Sequence, residues 1–118
     1  MQDCKIIILG EEWTIKFGKE AQYPNLDVNS GYCDSSAREI IIDDMESIRG
    51  DKTAKTNLTD LKHKVLRHEI IHAYLEESGL SENSCATECG WAENEEMVDG
   101  FAIKTPKIFR TFLELGIL

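Results

Sequence analysis

The stretch Val65-Leu66-Arg67-His68-Glu69-Ile70-Ile71-His72-Ala73-Tyr74-Leu75 constrains this chain more than any other. An α-helix turns by about 100° per residue, so His68 and His72 lie one above the other and can offer imidazole nitrogens to a single metal ion. Glu69 falls on the same side of the helix, roughly 100° from His68 and 60° from His72. That places a carboxylate beside the metal position rather than in it. The spacing predicts a helix over about 59 to 78, with Thr59 or Asp60 as its cap and Gly79 at its end. Leu61, Val65 and Leu75 share an arc with His68, Glu69 and His72. Leu66, Ile70 and Ala73 make a second apolar stripe nearly opposite. A helix apolar on two sides is covered on two sides. The second stripe is expected on a sheet, and the stripe with the histidines against another helix or a cleft.

The residues before this helix read as strands. Lys5-Ile6-Ile7-Ile8-Leu9 is a short apolar run closed by Gly10, and Trp13-Thr14-Ile15-Lys16-Phe17 alternates apolar and polar. The two form a hairpin through the turn Gly10-Glu11-Glu12. Residues 19 to 31, with Pro24, Asn25, Asn29, Ser30 and Gly31, read as a loop. Tyr32-Cys33 and the run from Ala37 to Asp43 read as a second hairpin, with Arg38 to Ile42 its firmer half. Such a strand, at a sheet edge beside a metal, could pair with an extended peptide through main-chain hydrogen bonds. Residues 43 to 58 form a polar connection. After the central helix, Gly79 to Gly90 is irregular and Trp91 to Lys104 is helical by period. Thr105-Pro106 then opens a last helix, with Ile108, Phe109, Phe112, Leu113 and Leu115 on its apolar face. The expected fold is α+β in one domain spanning 1-118. A small antiparallel N-terminal sheet packs on the central helix, followed by a second helix and a C-terminal helix.

Composition narrows the function classes. There are 22 acidic against 13 basic residues, a net charge of -9, with no basic stripe of the kind that binds nucleic acid. No run approaches the roughly 18 apolar residues of a membrane span. Met1-Gln2-Asp3-Cys4 lacks a basic leader and Ile6 to Leu9 is too short for a signal core, so a cytoplasmic location is expected. Cys4, Cys33, Cys85 and Cys89 are then expected as reduced thiols. Cys85 and Cys89 lack the two-residue gap of a zinc knuckle and have no second pair, so packing at a helix start is their expected role.

Catalytic zinc takes three protein ligands and keeps one position open. No histidine follows His72, so a histidine just after the motif is excluded, and a downstream carboxylate or a cysteine remains. The stretch Glu93-Asn94-Glu95-Glu96-Met97-Val98-Asp99 supplies carboxylates instead. On a helical projection Trp91, Glu95, Val98 and Ala102 share one narrow arc, while Glu93 and Glu96 turn outward. An acid on a core-facing arc is costly unless paired or metal-bound, so Glu95 is the expected third ligand. Asp99, one turn further on nearly the same side, is placed to accept the remaining ring N–H of a ligating histidine.

His68-Glu69-x-x-His72 followed by Asn94-Glu95-x-x-x-Asp99 resembles the gluzincin zinc metallopeptidases. The resemblance covers the two helices, about a third of the chain. Its layout is similar to single-domain minimal gluzincins and to small zincin-like proteins of phages and prophages. It implies Zn2+ held by His68, His72 and Glu95, Glu69 as catalytic base, Asp99 as partner of His68, and a peptide or protein as substrate. Full-size gluzincins steady the transition state with a further Tyr or His. Neither residue follows Asp99 here, so either another group serves, such as Tyr32 or an edge-strand amide, or catalysis is weak or absent. Two other readings start from the same motif. One is a non-catalytic zincin-like protein whose metal holds the helices together. The other resembles the peptide deformylases, with Cys33 as a ligand, but the glycine-rich and glutamine-bearing motifs of that family are missing. Nothing in the sequence specifies an oligomeric state.

Overall fold

Ile40-Ile41-Ile42 decides how the sheet is assembled. All three are buried, so this strand must be covered on both faces and flanked on both edges. In the computed structural model, which describes residues 1–51, 56–82 and 90–118, it occupies an inner position. The strands are β1 (Cys4–Ile8), β2 (Glu11–Gly18), β3 (Gly31–Asp34) and β4 (Glu39–Asp43), in the order β1-β2-β4-β3. Both expected hairpins form, β1 with β2 and β3 with β4, each antiparallel. They join through β2 and β4, however, which run parallel with Ile15 opposite Ile40 and Phe17 opposite Ile42. The sheet is therefore mixed, not antiparallel as the sequence reading had it. Docking through β3 instead would have left the three isoleucines on an open edge. The first turn also shifts by a residue: Leu9 (φ 48°) and Gly10 (φ 88°) take left-handed backbone, as a two-residue hairpin turn demands.

Helix α1 (Leu58–Glu77) lies across β3 and β4. Its cap is Asn57, whose side chain accepts the Asp60 amide at 3.1 Å, rather than Thr59 or Asp60. Ser78 and the left-handed Gly79 (φ 78°) end it. The stripe Leu66, Ile70 and Ala73 packs onto Ile8, Trp13, Ile15, Ile40 and Ile42, as expected of the sheet-facing side. Trp13 is fully buried and donates its indole N–H to Glu77 at 2.8 Å, which ties β2 to the last turn of α1. Gly31 allows the edge strand β3 to close on the helix. A Cβ there would stand 2.8 Å from Val65 Cγ1 and 2.9 Å from Ile42 Cδ1.

Helix α2 runs unbroken from Glu95 to Glu114, so the two C-terminal helices expected from Pro106 are one. Trp91–Glu93 forms a separate short turn before it. Proline at 106 has no N–H to give the Ala102 carbonyl, and its ring crowds that carbonyl. The Arg67 guanidinium takes up the freed oxygen, donating from Nε at 2.6 Å. The proline thereby creates a tether between the helices instead of a break. Arg67→Met is expected to cost about 1–3 kcal/mol, because a buried acceptor loses its donor. In a Pro106→Ala background the helix itself supplies an N–H, and the same substitution should cost less than half as much. Equal losses in both backgrounds, measured by chemical denaturation, would exclude this account.

Candidate metal centre

The contacts between the helices fix their direction. His68 meets Asp99, and His72, one turn further along α1, meets Glu95, one turn earlier in α2, so α1 and α2 are antiparallel. This brings one turn of α1 opposite the first turn of α2. His68 and His72 present their Nε2 atoms 3.1 Å apart. The Glu95 carboxylate closes the third side, with Oε2 2.9 Å from His68 Nε2 and Oε1 3.1 Å from His72 Nε2. Among the described residues, these three form the one group of His, Cys, Asp or Glu donors that could hold an ion.

The donor spacing fits zinc. Tetrahedral zinc with ligand bonds of about 2.0–2.1 Å holds its donors about 3.3 Å apart. The two Nε2 atoms, and the Glu95 oxygen nearest to each, lie within a few tenths of an ångström of that, and with one donor atom from each residue the three lie within 4.8 Å of one another. The outer contacts fit as well. Asp99 Oδ1 lies 3.2 Å from His68 Nδ1, where it accepts the ring N–H and leaves the Nε2 lone pair facing the metal position. Lys64, one turn before His68, grips the same carboxylate at 3.1 Å to Oδ1 and 3.3 Å to Oδ2. The Lys64 ammonium, aided by His68, holds the Asp99 carboxyl below its usual range.

Glu69 is buried, at 7% exposure, beside this group. Burial raises its carboxyl to about 7, the neighbouring His68 acting against that shift and Glu95 with it. A cleft of about 330 Å³ opens in front. His68, Glu69, His72, Glu76 and Glu95 form its helical walls, and Asn29, Gly31, Tyr32 and Cys33 line it from the strand side. The strand beside the centre is the edge strand β3, whereas the firmer half of its hairpin, β4, is interior. Tyr32 is raised above its ordinary range, chiefly by burial, so its phenol keeps its proton and remains a donor. A larger hollow of about 540 Å³ at the start of α1 is lined by Asp60, Lys64, Arg67 and Ile103 and contains none of the three donors.

The structure thus brings together His68, Glu69, His72, Glu95 and Asp99. The reason offered for Glu95 needs correction. It does not sit in the core: its side chain is 69% exposed. Asn94 caps α2, accepting the Met97 amide at 2.8 Å, so Glu95 is the first helical residue and stands at the rim. Val98 and Ala102, further along the arc, are fully buried, while Trp91 is 62% exposed. Glu93 and Glu96 are exposed, as expected. Cys33 lines the cleft, its thiol pushed up to about 12 by burial, but belongs to no donor group. Cys85 and Cys89 lie outside the described residues. Lys64 was missed in the sequence, although its place four residues before His68 on the ligand-bearing stripe was a legible signal. Tyr32 was singled out and borders the cleft, but its phenol lies among Asp34, Glu39, Tyr23 and Lys16, on the sheet face opposite Cys33 and α1, so the structure does not bring it to the metal position.

Comparison with known proteins gives no match: no family model, no curated protein and no solved structure matches this chain. Among the described residues, no helix is long and apolar enough to cross a membrane.

Proposed function

We propose that this protein is a zinc-dependent peptidase of the gluzincin kind, with a zincin-like arrangement of sheet and helices. The observation that carries the proposal is the convergence of His68, His72 and Glu95 from two helices, with the Glu69 carboxyl buried beside them. Zinc held by these three residues would supply an acidified water and polarise a substrate carbonyl. Glu69 takes the proton of the attacking water and delivers it to the leaving amine. One water is consumed, and a carboxylate and an amine are produced. Asp99 fixes the His68 tautomer, and Lys64 fixes Asp99. The free edge of β3 offers main-chain groups to an extended peptide lying in the cleft. A main-chain N–H of the same edge serves as the donor for the oxygen of the scissile carbonyl.

The deciding experiment incubates the zinc-loaded protein with a mixed peptide library and reads new termini by mass spectrometry. Cleavage that disappears on chelation and returns with zinc is the expected result. No cleavage at full zinc occupancy would move the reading to a zincin-like protein whose metal serves structure or recognition.

A further inference from the structure

Among the described residues, the last three turns of α2 project largely uncovered. The helix buries Val98 and Ala102, and no residue after Ala102 is buried. Yet its apolar arc continues. Phe101, Ile108, Phe112 and Leu115 fall within about 60° of one another, with Phe109 and Leu113 on the adjoining sector. Phe101, Ile108, Phe109, Leu113 and Leu115 keep 39–67% of their surface exposed. The radius of gyration is 15.4 Å, against about 13–14 Å for a compact chain of this length, as a projecting helix requires. An isolated three-turn helix is marginal in water, and its stability normally comes from burying an amphipathic face.

We propose that this face is covered by the same face of a second copy, the two α2 helices pairing antiparallel about a twofold axis. Area selects this occupant. The exposed apolar side chains offer on the order of 600 Å² per copy, close to the roughly 800 Å² per partner of a standard stable interface. Ile117 and Leu118, each 67% exposed, make up most of the difference. The net charge of -9 opposes approach to an anionic membrane. This inference is independent of the proposed peptidase activity.

Light scattering of the full chain on a sizing column tests it. A two-chain mass at micromolar concentration is expected. Phe109→Lys with Leu113→Lys should give a one-chain mass and raise the dissociation constant at least about 100-fold, with zinc binding at His68, His72 and Glu95 retained. A wild-type mass of one chain up to hundreds of micromolar would overturn the proposal whether or not the variants fold. So would a two-chain mass that the apolar substitutions leave unchanged. Monomeric wild type that partitions onto phosphatidylglycerol vesicles would give the face to a lipid surface instead.

Discussion

Glu69→Gln is expected to leave zinc bound and to lower hydrolysis by about 10²–10⁴-fold, the usual worth of a positioned general base. Glutamine keeps the shape of the side chain and cannot accept the proton. The same variant should separate catalysis from stability. In the metal-free protein, burial raises the Glu69 carboxyl from its ordinary value to about 7. The folded state therefore holds this proton more tightly than the unfolded chain. Its contribution to stability is fully present below the ordinary carboxyl range and is lost as pH rises through about 7. The whole loss is at most about 3–4 kcal/mol, at roughly 1.4 kcal/mol per pKa unit. Glutamine does not titrate, so the metal-free variant should melt above the wild type at pH 8 and lie closer to it at pH 5.5. Retained activity would remove Glu69 as base. A melting difference independent of pH would remove burial of its charge as the cause.

Glu95→Ala should weaken zinc binding by more than about 100-fold, and Asp99→Ala by about 10–100-fold, the range seen for outer partners of ligating histidines. The order follows from geometry. Glu95 lies about 3 Å from both Nε2 atoms. Asp99 touches only the far side of the His68 ring. Competition against a chromophoric chelator measures both constants. If Glu95→Ala binds zinc as the wild type does, the third ligand is not Glu95 and the proposed centre fails. An effect of Asp99→Ala as large as that of Glu95→Ala would mean that Asp99 does more than orient a ring.

Much of the site could be read from spacing, because helices translate sequence separation directly into direction. His68 and His72 stack because they are four apart, and the same rule puts Asp99 one turn beyond Glu95. What failed was inference about depth. Glu95 lies on the projected arc of Val98 and Ala102, yet as the first residue of α2 it is held in water at the rim. A helical projection gives an angle and says nothing of height along the axis. Pro106 misled for a related reason. Its local rule ends a helix, and the donor that cancels the rule, Arg67, comes from 39 positions earlier in the chain.

The sequence by itself determined the elements and their apolar faces: four strands by their runs and turns, a helix with two stripes, and the pair of histidines with a glutamate beside them. These are local properties, fixed by periods of about two and 3.6 residues. Tertiary structure alone decided that β4 lies inside a mixed sheet, that β3 forms the edge beside the centre, and that the first turn of α2 meets the middle of α1. Those outcomes depend on which buried surfaces find partners. Three consecutive isoleucines demand cover on both faces but do not name the strand that provides it. A carboxylate near two imidazoles needs a tether such as Arg67 to set the distance between its helix and theirs.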